Sequence, residues 1–244
     1  MKLLFSIGFF VLWYSSNGQQ NLFNIPSGDI TPQKKIFFQQ QINFNSLYQI
    51  SAKSHFVTGL GKNLEGGINI INNYFNFRSS PSFLVSTPFN SKEPYPYYPL
   101  LLVTGQKRWE TGQFVFITLG TQAGTNLYRN IRGKRFTHFT YSILGFQDKK
   151  SHKWKFLLGP YVTNWRFVGG GNKAGFLAGT EIKINRKWLL MLDHISGNHK
   201  NSVTVAGFTY NVKDNFQVCA GWQVPNPNSA EKQALVLEIN LFNF

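Results

Sequence analysis

The sequence predicts an all-β fold, an up-and-down antiparallel transmembrane β-barrel of about twelve strands. Three observations carry that prediction. Short segments of period-two hydrophobicity recur from residue 34 to the end, the connections between them alternate short and long, and tryptophans gather at segment ends. A strand turns successive side chains to opposite faces, so apolar-out, polar-in alternation is what a lipid-facing barrel strand requires.

In chain order, residues 1–18 read as a signal peptide. Lys2 supplies a positive start, Leu3 to Tyr14 an apolar run, and Ser16-Asn17-Gly18 a small-x-small cleavage site. The run is too short to span a bilayer, which takes ~20 residues, so export is expected and the outer membrane follows as destination. Residues 19–33 are polar and hold Pro26 and Pro32. They are expected to form a periplasmic N-terminal arm, with no plug domain. Residues 34–244 carry no internal linker and form one barrel domain.

The expected strands are 34–45, 47–60, 64–77, 97–106, 110–121, 134–147, 153–166, 173–184, 187–197, 201–212, 215–224 and 231–244. The second strand sets Ile50, Ala52 and Phe56 against Gln49, Ser51, Lys53 and His55. The eighth sets Phe176, Ala178 and Ile182 against Gly175, Gly179, Glu181 and Lys183. The last sets Leu235, Leu237, Ile239 and Leu241 against Glu238 and Asn240. The last strand is out of phase with its terminal Phe244, and a bulge near Leu241 would restore the phase. Even-numbered connections, such as Asn185-Arg186 and Lys213-Asp214, are short and polar. Odd-numbered ones, such as Arg78 to Pro96 and Gln122 to Gly133, are longer; only the first, near Ser46, is tight. That parity places both termini on the periplasmic side. Trp109, Trp154 and Trp188 fall beside the short turns, Trp165 and Trp222 at the opposite ends, the pattern of interfacial aromatic belts.

Composition agrees. Aromatics reach 16% and charged residues only 14%, against about 25% charged in ordinary soluble domains. Mean hydropathy is −0.21, uninformative because alternation averages out. The formal charge is +15, or +14 once Lys2 leaves. An exported chain meets no nucleic acid, so the expected partners are outer-membrane lipid, lipopolysaccharide phosphates and small anionic solutes. Cys219 is the only cysteine, which excludes a disulfide scaffold and a cysteine metal site.

Lys34 to Gln41, Asp193-His194-Ile195-Ser196-Gly197-Asn198 and the Phe242-Asn243-Phe244 end resemble small porin-like outer-membrane barrels, notably of Bacteroidetes type, over residues 30–244. A chain this short cannot supply both a plug and the large barrel of an energised transporter, so a passive function is expected: a narrow channel, preferring anions because of the +14 charge, or a structural surface barrel, with no cofactor. Lumen charges are expected at Lys53, Lys155, Glu181, Lys183 and Asp193, the carboxylates pairing with the lysines because uncompensated charge in a narrow barrel is costly. Arg129, Arg132, Lys134 and Arg135 would make an electropositive mouth on the loop after residue 121.

The alternative is lipid hydrolysis. His194 and Ser196, two apart and lipid-facing, look like the active site of outer-membrane phospholipase A, which would make His194 the base and Ser196 the nucleophile. The third member fails. The position across from His194 is about Thr204, which cannot steady an imidazolium, and Gly197-Asn198 inverts the expected order. No catalytic residue is expected, and the five histidines show no metal-ligand spacing.

Overall fold

The computed structural model describes residues 21–77, 82–85, 96–127, 136–148 and 151–242. The signal peptide, the basic-loop residues Arg129, Arg132, Lys134 and Arg135, and Phe244 lie outside them.

Twelve antiparallel strands close on themselves: β1 (Ile36–Ser46), β2 (Gln49–Gly61), β3 (Leu64–Asn76), β5 (Leu100–Glu110), β6 (Val115–Asn126), β7 (Thr137–Gln147), β8 (Trp154–Thr163), β9 (Ala174–Lys183), β10 (Trp188–Ile195), β11 (Val203–Lys213), β12 (Phe216–Pro225) and β13 (Ala234–Phe242). A four-residue strand, β4 (Ser82–Val85), pairs only with the outer end of β3. Each barrel strand pairs with its sequence neighbour, and β1 pairs with β13 to close the ring. Closure leaves no edge strand, so the wall pairs its backbone within itself rather than with water.

Alternation decides facing as the pattern dictates. Leu235, Leu237 and Ile239 stand exposed on the outer surface, while Ala234, Val236, Glu238, Asn240 and Phe242 are buried inward. The same holds for Phe216–Pro225, where Trp222 faces out and Gln217, Cys219 and Gln223 face in. Trp109 and Trp188 are exposed beside the short turns, as expected of a belt.

Three expectations need correction. Barrel strands four and five run Leu100–Glu110 and Val115–Asn126, several residues beyond the expected 97–106 and 110–121. Strand β8 stops at Thr163, and Trp165 starts a single helical turn, α1 (Trp165–Val168), capped by the Asn164 side chain accepting from the Phe167 amide. The last strand holds no bulge: Leu241 faces Phe38 and Phe242 faces Phe37 in unbroken register, and those two inward rings pack at 5.2 Å.

The largest departure concerns the arm. An eight-stranded barrel is filled by its own side chains, whereas one of 16–18 strands leaves a water channel. Twelve strands leave a gap between these cases, and residues 21–33 fill it. Leu22, Phe23, Ile25 and Ser27 are almost wholly buried. The arm expected in the periplasm lies inside the lumen because the wall is cut to receive it. A side chain at Gly179 would strike Leu22 and Ile25, one at Gly207 or Gly221 would strike Phe23, and one at Gly59 would meet the backbone oxygens of Thr31 and Pro32.

Candidate functional site: the occupied lumen

The arm runs up from the periplasmic end, where Gln33 bridges Gly59, to mid-lumen, where the Leu22 amide donates to the Ile25 carbonyl in a tight turn. It bends at Gly28, whose φ of 75° suits glycine and whose missing side chain admits the Phe116 ring.

Just past that bend, Asp29 sits between two cations. Its carboxylate takes Arg108 Nη1 at 3.0 Å and Lys155 Nζ at 2.6 Å. Lys155 also pairs with Glu181 at 3.0 Å, and Arg108 Nε with Glu110 at 2.7 Å. The Arg108 guanidinium lies 3.6 Å from the Phe116 ring centre, a stacked cation–π arrangement. Gln106 Nε2 donates to the Asp29 carbonyl at 2.8 Å and to Glu65 at 2.7 Å. Glu65 in turn accepts the Thr31 amide and hydroxyl at 2.7 and 2.9 Å. Strands β3, β5 and β8 thus converge on residues 28–31, with Glu181 of β9 behind Lys155, largely through charge-assisted bonds, the strong kind.

Higher up, Asp193 Oδ2 accepts the Asn24 and Ile25 amides at 2.5 and 3.4 Å, and Lys53 donates to Asn24 Oδ1. Asn21 Nδ2 donates to Gln39 at 2.8 Å. Leu22 and Ile25 join a buried apolar cluster with Leu100, Phe116, Phe139 and Leu177, while Phe23 packs with Met191, Val205 and Cys219. Apolar side chains of arm and wall thus meet in the middle of the lumen.

Of the lumen charges read from sequence, Lys53, Lys155, Glu181 and Asp193 all bear on the arm or its anchors. Lys183, at the periplasmic end of β9, is half-buried and apart from them. Asp29 and Arg108 were missed as site residues, and both were read as irregular, arm and turn respectively. The signal that could have found them is a lone acid in the arm facing a strand-borne cation.

The outer end is also covered. Phe167 of α1 stacks on Phe139, which stacks on Tyr161. His199, on the loop between β10 and β11, accepts the Asn201 amide at Nδ1, so its Nε2 proton points to Tyr161 Oη at 2.7 Å. Burial, with Lys173 adding to it, holds His199 down to about 4 from 6.5, so the ring is neutral.

His194 and Ser196 each bond a different partner. His194 Nδ1 bonds Thr204 Oγ1 at 2.8 Å, the partner expected across the hairpin, and Ser196 Oγ accepts the Phe176 amide at 2.7 Å.

No family model matches the chain, and no curated protein does. Among solved structures it is similar to OmpT, an outer membrane protein of Vibrio cholerae folded in vitro, with 8% identity over 88% of this chain and 99% of that one and a TM-score of 0.34. A loop L8 deletion mutant of that protein matches with 8% identity over 86% of this chain and 100% of that one, TM-score 0.35. These likenesses are too slight to add to the strand pairing, and they carry the Bacteroidetes-type resemblance no further. An edge-free antiparallel barrel with an apolar outer surface and aromatic strand ends is built for lipid on the outside. The chain is an outer-membrane β-barrel.

Proposed function

We propose that this protein is an exported, porin-like barrel held shut by its own residues 21–33, and that its role is passive. With the arm in place it is a sealed surface barrel; with the arm withdrawn it is a narrow path that prefers anions. The observation that carries this reading is the arm's attachment, which is ionic and therefore separable at one end. Departure of Asp29 takes one carboxylate from Arg108 and Lys155, which stay paired with Glu110 and Glu181, and so shifts the charge of the passage toward positive. Ester hydrolysis gains no support from His194 and Ser196, and purified protein is expected to release no fatty acid from phospholipid micelles.

Planar-bilayer conductance tests the proposal. The full chain is expected to be silent. A chain lacking residues 21–33, or Asp29→Asn where the deletion fails to fold, is expected to give discrete anion-favouring steps. Steady conductance by the full chain at the level of the deletion would overturn it.

A further inference from the structure

Above the arm, the outer half of the lumen holds a cavity of about 90 Å³. A water needs roughly 10–15 Å³ on that measure, so the space suits a small solute rather than a single water. Its lining includes Lys53, Lys200 and Glu231, the carboxamides of Asn72 and Gln223, and the ring of Tyr74.

The two lysines are treated unlike the cations below them. Arg108 and Lys155 each meet two carboxylates within 3.0 Å. Among the described residues, neither Lys53 nor Lys200 forms an ion pair. Lys53 donates to the neutral Asn24 side chain. Lys200 Nζ lies over the Tyr74 ring at 4.4 Å and the Tyr98 ring at 5.7 Å. The nearby acids direct one oxygen each elsewhere: Asp193 Oδ2 takes the arm's amides, Glu231 Oε1 takes Asn45 and the Lys232 amide, and Glu238 Oε1 takes Asn240. Burial raises the Glu231 carboxyl and lowers Lys200, which weakens what attraction they share. A cation in a partly enclosed space is costly unless a carboxylate meets it directly; the lower half of the barrel supplies such contacts, whereas here Glu231, Asp193 and Glu238 act on the lysines without an ion pair. Aromatic faces with a few converging carboxamides are what binds a hydroxylated ring.

We propose that this vestibule binds a small acidic saccharide, its carboxylate or phosphate taken by Lys200 and Lys53 and its ring set beside Tyr74. The strand wall keeps out acyl chains, so the ligand is a free sugar and not a lipid head group. The site needs no withdrawal of the arm, whose Phe23 and Asn24 form part of its lining.

Isothermal titration of the folded protein in detergent micelles tests it with four probes: glucuronate, glucose 6-phosphate, glucose and inorganic phosphate. At least one acidic sugar is expected to bind, with glucose and inorganic phosphate each weaker by about tenfold or more, because each lacks one half of the partner set. Lys200→Gln, on a loop, and Lys53→Gln are each expected to weaken the acidic sugar by about tenfold, with heat-modifiable migration showing that the variants fold. Failure of both acidic sugars to bind, inorganic phosphate binding as tightly as the sugar phosphate, or indifference to both lysine changes would overturn the proposal.

Discussion

Asp29→Asn tests the ionic latch directly, and the chain carries its own reporter. Cys219, the only cysteine, faces the lumen, is fully buried, and packs in the cluster that contains Phe23. A water-soluble maleimide reaches it only when the arm leaves, so the labelling rate follows the population of the open state. The substitution keeps the shape of residue 29 and removes its charge. Each of the two ionic contacts, to Arg108 at 3.0 Å and Lys155 at 2.6 Å, is of the kind worth about 1.5–3 kcal/mol. Asparagine retains one neutral acceptor, and Glu110 and Glu181 still hold the two cations, so the net loss is about 2–3 kcal/mol. That corresponds to an open population about 30- to 150-fold larger, and labelling should accelerate by the same factor. Raising salt should accelerate the wild type and leave the variant nearly unchanged. Equal labelling rates for the two proteins, or a folded wild type that labels as fast as urea-unfolded chain, would refute the latch.

Two further outcomes are expected. Gly59→Ala sets a methyl carbon 2.1 Å from the Pro32 carbonyl oxygen and 2.3 Å from that of Thr31; it should expel the arm's entry and speed Cys219 labelling with no change of charge, which separates steric from ionic release. The neutral His199 ring, depressed to about 4, favours the folded outer loop above pH 6.5, and that contribution is lost as pH falls through 4; hydrogen exchange in residues 196–202 should rise across that window, and His199→Gln should flatten the dependence.

Most of the wall was legible because lipid outside enforces period two regardless of what lies within. The strands Ala174–Lys183 and Phe216–Pro225 fall within a residue of where alternation placed them. The Gln106-Lys107-Arg108 stretch misled because a run of polar and charged residues imitates a turn. Gln106 and Arg108 in fact point inward to Gly28 and Asp29, about eighty positions earlier, and no local pattern announces a partner that distant. The arm was hidden for the complementary reason. It has no periodicity of its own, and its fit depends on glycines scattered over four other strands. The Lys155–Glu181 pair was readable, since both residues face inward on adjacent strands. The role of Asp193 as acceptor for the arm's amides was not, because backbone donors leave no mark in a sequence.

The arm also has a mechanical meaning. A hollow cylinder of hydrogen-bonded strands flattens easily under lateral pressure, since an oval costs little when nothing spans the bore. Here Glu65 on one wall, Lys155 on another and Asp193 on a third are all tied to the same thirteen-residue segment, which acts as a cross-brace. Withdrawing it would do more than widen an aperture: the tube would lose its roundness, and the vestibule above would deform with it.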